Sequence, residues 1–173
     1  LAPTARHSAL SALLLVDAGL SAQQALAAAF EQTYVDGKNS VGVALPPVER
    51  HLCSELVYGY LRTEIRIAFV LARVLPRPKS LPQPLLHILG LAVYALIFQD
   101  RVPDHAAVFF AVETARALYG QGLSKVVNGA LRSVQRLGDG PMQRDFYLPF
   151  GVAANSPEHL ALFYSLPVWI VGH

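Results

Sequence analysis

The feature that most constrains the fold is an apolar segment, residues 85–98, which follows Pro82 and Pro84. Its side chains are apolar on nearly every side of a helix, a pattern typical of a helix surrounded by protein. The segment contains His87 and is too short to cross a membrane, which takes about 20 apolar residues. The sequence therefore predicts a helix that is buried at the centre of a helical fold.

The rest of the chain also has helical patterns and almost no strand signals. Of its 173 residues, 53% are hydrophobic and 15% are charged. Since charged residues make up roughly 25% of an ordinary soluble domain, this balance indicates a large helical core or a surface that another domain covers. We expect an all-α fold of about seven helices with a short helical C-terminal extension.

Capping residues predict the first two helices. The first is expected at about residues 4–18. Ser21 and Gln24 have the spacing of a capping box, which starts the second helix. That helix is expected to end at about residue 34, and residues 36–40 are expected to form a turn-rich loop.

Glycine and proline divide the middle of the chain. Residues 48–75 have a helical pattern without proline, and a break near Arg62 is expected because it gives two helices of ordinary length. Residues 103–119 form a further predicted helix, which Gly120 separates from a helix over residues 125–136.

The C-terminal part of the chain differs in composition. Residues 138–155 are expected to form an extended loop, and Gly138-Asp-Gly140 is interpreted as a turn because it follows a helix rather than a strand. Ser156 and Pro157 start a short predicted helix. The last apolar residues, 168–171, indicate a surface that meets a further domain.

No catalytic or metal site is evident in the sequence. Cys53 is the only cysteine, which excludes a disulfide framework and a cysteine zinc site, and it is interpreted as a buried packing residue. His51 and Glu55 have i, i+4 spacing, but no third metal ligand is evident. A solvated helix pair is the preferred interpretation of these two residues.

Positive charge is concentrated in two segments, although the net charge is only +2. Residues 62–79 contain five basic residues and one acidic residue, and residues 125–136 contain three basic residues and no acidic one. Such segments are either solvated faces with acidic partners or a patch that follows RNA phosphates. Few aromatic residues flank them, so recognition of RNA shape and backbone is expected rather than base stacking. The candidate RNA contacts are Arg6, Arg62, Arg66, Arg73, Lys125, Arg132 and Arg136.

Three other polar residues are interpreted as structural. Asn128 lies between apolar positions, and its amide is expected to satisfy backbone groups at a helix junction. Tyr58 is expected to pack closely between helices, with Glu113 or Arg62 as the hydrogen-bond partner of its hydroxyl.

Four segments, taken together, resemble the NusB-like family of all-helical domains. The resemblance covers roughly residues 5–137. It implies a NusB-like bundle of about seven helices, with residues 1–137 as an RNA-binding domain. The segments are ELVYGYLR at 55–62, ILGLAVY at 88–94, RVPDHAAV at 101–108 followed by AVETA at 111–115, and KVVNGALR at 125–132.

The end of the chain favours one branch of this family. Residues 160–171, LALFYSLPVWIV, resemble the segment that joins the NusB-like domain to the catalytic part of RsmB/Sun-type ribosomal RNA cytosine-C5 methyltransferases. That segment usually reads Tyr-Ser-His-Pro-x-Trp, and Leu166 stands here in place of the histidine. Residues 138–173 are then a linker and the start of the connection to a C-terminal methyltransferase domain.

The resemblance implies a function for a longer parent protein. That protein would methylate cytosine in small-subunit ribosomal RNA with S-adenosylmethionine, which its C-terminal domain would bind. The family uses two cysteines for this chemistry, and Cys53 alone cannot supply both, so this part of the chain is expected to be non-catalytic. Its expected partners are small-subunit ribosomal RNA and its own methyltransferase domain, with self-association through exposed apolar surface as a further expectation. A cytoplasmic location without membrane contact is expected.

Two alternatives remain open. One is a free-standing antitermination factor that binds RNA and a ribosomal protein. The other is an interaction domain whose apolar surface only supports its neighbour.

Overall fold

The structure, a computed structural model, describes residues 4–31, 35–36, 39–40, 44–100 and 102–172. The predicted all-α fold is confirmed, since these residues form seven α-helices, three 3₁₀ turns and one pair of two-residue strands. The chain divides into two compact units, Leu1–Gly59 and Tyr60–His173. The α-helices are α1 Ala5–Asp17, α2 Ala22–Glu31, α3 Pro47–Val74, α4 Gln83–Phe98, α5 Asp104–Arg136, α6 Pro157–Tyr164 and α7 Val168–Val171.

In the first unit, α1 and α2 pack against each other and the predicted capping box is confirmed. The Gln24 amide N–H donates to Ser21 Oγ at 3.3 Å, and the Ser21 amide N–H donates to Gln24 Oε1 at 3.1 Å. The expected end of α2 at residue 34 lies outside the described residues. Strands Val35–Asp36 and Asn39–Ser40 pair antiparallel. They overlap the loop predicted over residues 36–40, whose residues 37 and 38 are also outside the described part.

Helix α3 is continuous, so the predicted break near Arg62 is wrong. A break needs a proline or a residue that ends the helical hydrogen bonding, and residues 48–74 contain no proline. The one glycine, Gly59, costs about 1 kcal/mol in a helix, which packing of its buried neighbours outweighs.

Helix α4 is buried along most of its length, as the apolar pattern predicts, and it packs extensively on α5. A Cβ at Gly90 would overlap the ring of Tyr60, so the glycine allows this close approach. The Tyr60 hydroxyl lies 3.0 Å from His87 Nδ1, which gives the buried imidazole a polar partner inside the apolar helix.

Helix α5 bends at Gly120, where the predicted separation is confirmed. Gly120 has φ 79° and ψ −173°, a conformation that side chains with a Cβ rarely adopt. The bend divides α5 into a first limb, residues 104–119, and a second limb, residues 121–136. The limbs are antiparallel neighbours, because Asp104 at the start of the first bonds Gln135 at the end of the second.

The segment after α5 is folded back, so the extended loop expected over residues 138–155 is wrong. It contains the 3₁₀ turns Gly140–Met142 and Arg144–Tyr147. Tyr147 is fully buried, and its ring contacts those of Phe69 and Phe163. The predicted start of α6 is confirmed by Ser156 Oγ, which accepts from the His159 amide.

Among the described helices, none combines the length and apolar character needed to cross a membrane.

Candidate nucleic-acid interface

An open cleft of about 490 Å³ lies between the two limbs of α5. Asp104 and His105 belong to one of the segments that carry the family resemblance, and Asn128 and Arg132 belong to another. The bend at Gly120 therefore brings these two segments to a common site. The lining residues are Asp104, His105, Val108, Phe109, Val112, Asn128, Arg132 and Gln135.

A chain of hydrogen bonds crosses one end of this α5 cleft. Arg132 Nη1 donates to Gln135 Oε1 at 3.5 Å, and Gln135 Nε2 donates to Asp104 Oδ2 at 3.3 Å. Gln135 thus joins the two limbs and holds the Arg132 guanidinium at the wall of the cleft. Since Arg132 remains exposed, its other donors face solvent and are free to meet a ligand.

Lys125, Arg132 and Arg136 are exposed along the second limb and form what we call the basic face. The opposite side of the limb is buried in the unit through residues such as Leu131 and Val134. The Arg136 guanidinium donates to Ser133 Oγ at 2.6 Å. Within the described chain no carboxylate pairs with these three cations, so their charge is available to an anionic partner.

Arg66 contributes to the fold instead of this face. Its Nη2 donates to the carbonyl oxygen of Pro141 at 2.9 Å. The guanidinium also lies over the rings of Phe98, Tyr147 and Phe163, at 4.7, 4.9 and 4.8 Å from their centroids. Arg66 therefore fixes the segment after α5 onto α3 and α4. Burial raises the pKa of Tyr147, and the Arg66 charge partly offsets that rise.

The remaining predicted cations lie elsewhere. Arg73 donates to the carbonyl oxygen of Phe146 at 2.9 Å and lies 4.6 Å from that ring. Arg62 is exposed on α3. Arg6 belongs to the first unit. Partial burial lowers the pKa of its guanidinium below the ordinary value, and the Glu49 carboxylate offsets part of this decrease. The structure thus groups three of the seven predicted cations on one face and gives Arg66 and Arg73 contacts within the fold.

The three predicted structural polar residues also have defined positions. Tyr58 is 45% exposed, which differs from the close packing expected of it. Glu113 forms an ion pair with Arg116 at 2.6 Å. Asn128 is exposed in the α5 cleft, and its side chain makes no hydrogen bond within the described residues. The expected bond from its amide to a helix junction is therefore not seen there.

Sequence reasoning missed Phe109. This side chain is 68% exposed and lines the cleft together with Asn128 and Arg132. In the sequence it sits within an apolar stretch of the first limb, where a phenylalanine is ordinarily a core residue. The one sequence signal was Gly120, which predicts a separation between two helices and so allows the second limb to lie beside Phe109.

The cysteine and the i, i+4 histidine and glutamate pair singled out in the sequence lie outside this site. Cys53 is buried, as expected. This burial, and to a smaller extent the negative charge of the nearby Glu49 carboxylate, raises the pKa of its thiol to about 12. His51 and Glu55 are exposed, and no group of three or more metal-ligating side chains occurs among the described residues.

Taken together, the fold and the site define an all-helical domain with a basic helix face bordering an open cleft. The chain belongs to the NusB family, whose family model matches residues 3–136.

The chain is also similar to the N-terminal part of longer curated proteins. It is 33% identical over 123 residues to the probable ribosomal RNA small subunit methyltransferase B of Bacillus subtilis, covering 70% of this chain and 26% of that protein. It is 34% identical over 141 residues to the ribosomal RNA small subunit methyltransferase B of Shewanella oneidensis, covering 76% and 29%. For the probable enzyme of that name in Synechocystis, identity is 42% over 93 residues, covering 53% and 21%. The chain therefore spans about a quarter of the length of these relatives.

Proposed function

We propose that this chain is the RNA-docking N-terminal domain of a ribosomal RNA cytosine-C5 methyltransferase, and that it has no catalytic activity of its own. The observation that carries the proposal is the basic face, where Lys125, Arg132 and Arg136 are exposed without acidic partners in the described chain. Cations in this arrangement attract RNA phosphates and release counterions on binding. The relatives named ribosomal RNA small subunit methyltransferase B supply the substrate class, small-subunit ribosomal RNA.

The described residues do not fit S-adenosylmethionine. The glycine-rich turn at Gly138 follows helix α5 and leads into a 3₁₀ turn, whereas nucleotide-type cofactors are held by loops between a strand and a helix. Cys53, with a thiol pKa of about 12, is also unsuited to attack a pyrimidine. We therefore assign cofactor binding and methyl transfer to a C-terminal domain outside this chain.

The proposed domain organisation follows from the same reasoning. Residues 1–137 are the RNA-docking domain, and residues 138–173 connect it to the methyltransferase domain. Arg66 holds the first part of this connection against the second unit through Pro141 and Tyr147. Val168 and Trp169 on α7 are exposed and offer the apolar surface on which the catalytic domain would rest. We place the parent protein in the cytoplasm, where ribosomal RNA is modified.

A second candidate is a free-standing NusB-type antitermination factor that binds RNA and a ribosomal protein. Membership of the NusB family favours it as much as the first candidate. The coding sequence after residue 173 discriminates between them. A Rossmann-like domain with two motif cysteines supports the methyltransferase, and a stop codon supports the factor.

Charge reversal on the basic face tests RNA docking. The double variant Arg132→Glu, Arg136→Glu should bind a small-subunit ribosomal RNA fragment about tenfold or more weakly at low salt, because phosphate contacts become repulsive. The matched control is Arg116→Glu, which changes an exposed arginine on the first limb that is already paired with Glu113. Affinity measured by fluorescence anisotropy should be nearly unchanged in that control.

Two results would count against RNA docking. One is a wild-type chain that does not bind RNA even at low salt. The other is an affinity that the double variant leaves unchanged, which would favour a domain whose apolar surface only supports its neighbour.

A further inference from the structure

The α5 cleft has a lining that a phosphate site does not need. Phe109 is 68% exposed, whereas its neighbours in the same helix, Val108 and Phe110, are buried. Single exposed apolar side chains are common, and what distinguishes Phe109 is that its ring lines a cleft together with polar groups. A flat ring at the wall of a cleft is suited to stacking against another flat ring.

The charges in the cleft are mixed rather than uniformly positive. The Asp104 carboxylate faces the cleft beside the Arg132 guanidinium, and Gln135 bridges them. A phosphate placed here would meet a like charge at Asp104. A neutral ligand with both donors and acceptors on its edge would instead be complementary to this set of groups.

Asn128 adds the group that such an edge would meet. Its amide offers adjacent donor and acceptor atoms, it is exposed in the cleft, and it makes no side-chain hydrogen bond within the described residues. Side-chain amides form paired hydrogen bonds with base edges for this reason. The cleft volume of about 490 Å³ falls within the roughly 300–1,000 Å³ that is usual for small-ligand sites, so it can accept a ring of that size.

We propose that the α5 cleft holds one unpaired base of a single-stranded RNA segment, stacked on Phe109 and hydrogen-bonded to Asn128. This inference rests on the proposed RNA docking and specifies the place on the chain that receives a base. The basic face lies on the same limb as Asn128, so Lys125 and Arg136 contact the phosphates that flank the inserted base. Double-stranded RNA keeps its bases stacked inside the helix and therefore cannot fill the cleft.

The experiment compares two RNA probes on ring-removal variants. The probes are a fluorescein-labelled 12-nucleotide single strand of mixed sequence and its duplex. Phe109→Ala should bind the single strand about 5- to 100-fold more weakly, the loss expected when a base loses its aromatic partner. Its affinity for the duplex should stay within twofold of wild type. Phe109→Tyr retains the ring and should retain most of the single-strand affinity.

Leu118→Ala is the matched control. Leu118 is also on the first limb and is 56% exposed, but it does not line the cleft. Its removal should leave binding of both probes unchanged. The circular dichroism melting curves of all variants show whether the fold is retained, which is expected since both side chains are exposed.

A second measurement locates the base directly. A single strand that carries 4-thiouridine should cross-link on irradiation to residues of the cleft, including Phe109 or His105, as mapped by mass spectrometry. Cross-links confined to other parts of the chain would overturn the inference, as would equal losses for Phe109→Ala and Leu118→Ala. If those results appear while charge reversal at Arg132 still weakens binding, RNA docking stands and only the base site fails. A wild-type chain that binds neither probe removes both proposals.

Discussion

Removing the Arg66 side chain should destabilise the second unit substantially, although sequence reasoning placed this residue among the RNA contacts. Its hydrogen bond to the Pro141 carbonyl comes from a charged donor, a type worth about 1.5–3 kcal/mol. Each desolvated ring contact adds about 0.5–2 kcal/mol. These contributions overlap, and part of them is offset because the buried Nε of Arg66 has no partner. We expect Arg66→Ala to lower the free energy of unfolding by about 2–4 kcal/mol, given such partial compensation.

Urea unfolding followed by circular dichroism measures this loss. At about 2–4 °C per kcal/mol for a chain of this length, the melting temperature should fall by roughly 5–15 °C. Hydrogen exchange should show the largest increase in residues 138–165, which Arg66 fixes to α3. Arg66→Lys should lose about half as much stability, since an ammonium group keeps the charge but lacks the planar fork.

Arg62→Ala is the matched control for this prediction. Arg62 lies one turn earlier on α3, is exposed, and its side chain forms no hydrogen bond, ion pair or ring contact within the described residues. Its substitution should change stability by less than about 0.5 kcal/mol. If Arg66→Ala is no more destabilising than Arg62→Ala, the account of Arg66 as a structural anchor is refuted.

Three further predictions follow from buried and capping groups. Gly90→Ala should destabilise the chain by about 1–3 kcal/mol in urea unfolding, because the new methyl group overlaps the Tyr60 ring. Gly129→Ala, where the added methyl group meets open space, should be neutral or stabilising. Equal urea midpoints for the two variants would contradict this prediction. The Cys53 thiol, with a pKa of about 12, should react with Ellman's reagent far more slowly in the native chain than in urea at pH 8, and equal rates would count against its burial. Hydrogen bonds from its own amide N–H and from the Ser156 hydroxyl lower the pKa of the Glu158 carboxyl in the folded chain. The ionised carboxylate therefore stabilises α6 above about pH 4.5, and this stabilisation is lost as the pH falls through the lowered pKa of the folded state. Glu158→Gln should flatten the acid side of the stability profile, and an unchanged profile would contradict the cap.

Local signals predicted much of the fold. The capping box of α2 and the Ser156 cap of α6 depend on groups a few residues apart, so the sequence shows them directly. The burial of α4 follows from its apolar surface alone. The bend at Gly120 was also predictable because a glycine interrupts an otherwise helical pattern.

The errors arose where distant residues decide the structure. The segment after α5 has few local signals, and it folds because Tyr147 packs on Phe69 and Arg66 bonds Pro141, contacts that cross large sequence separations. The same limit applies to the site. Spacing within the second limb predicted the basic residues, but only the direction of that limb after the bend places Phe109 beside Asn128.

The salt dependence of RNA affinity tests the central claim most directly. Binding of the single-stranded probe should be measured by anisotropy over a series of salt concentrations, for wild type and for the triple variant Lys125→Gln, Arg132→Gln, Arg136→Gln. Each phosphate contact contributes about −0.7 to the slope of log affinity against log salt for a single strand, so the variant slope should be flatter by about 1.4 for the contacts of Lys125 and Arg136, and by about 2 where Arg132 also meets a phosphate outside the cleft. Parallel slopes for the two proteins would contradict the claim that the basic face of α5 binds RNA.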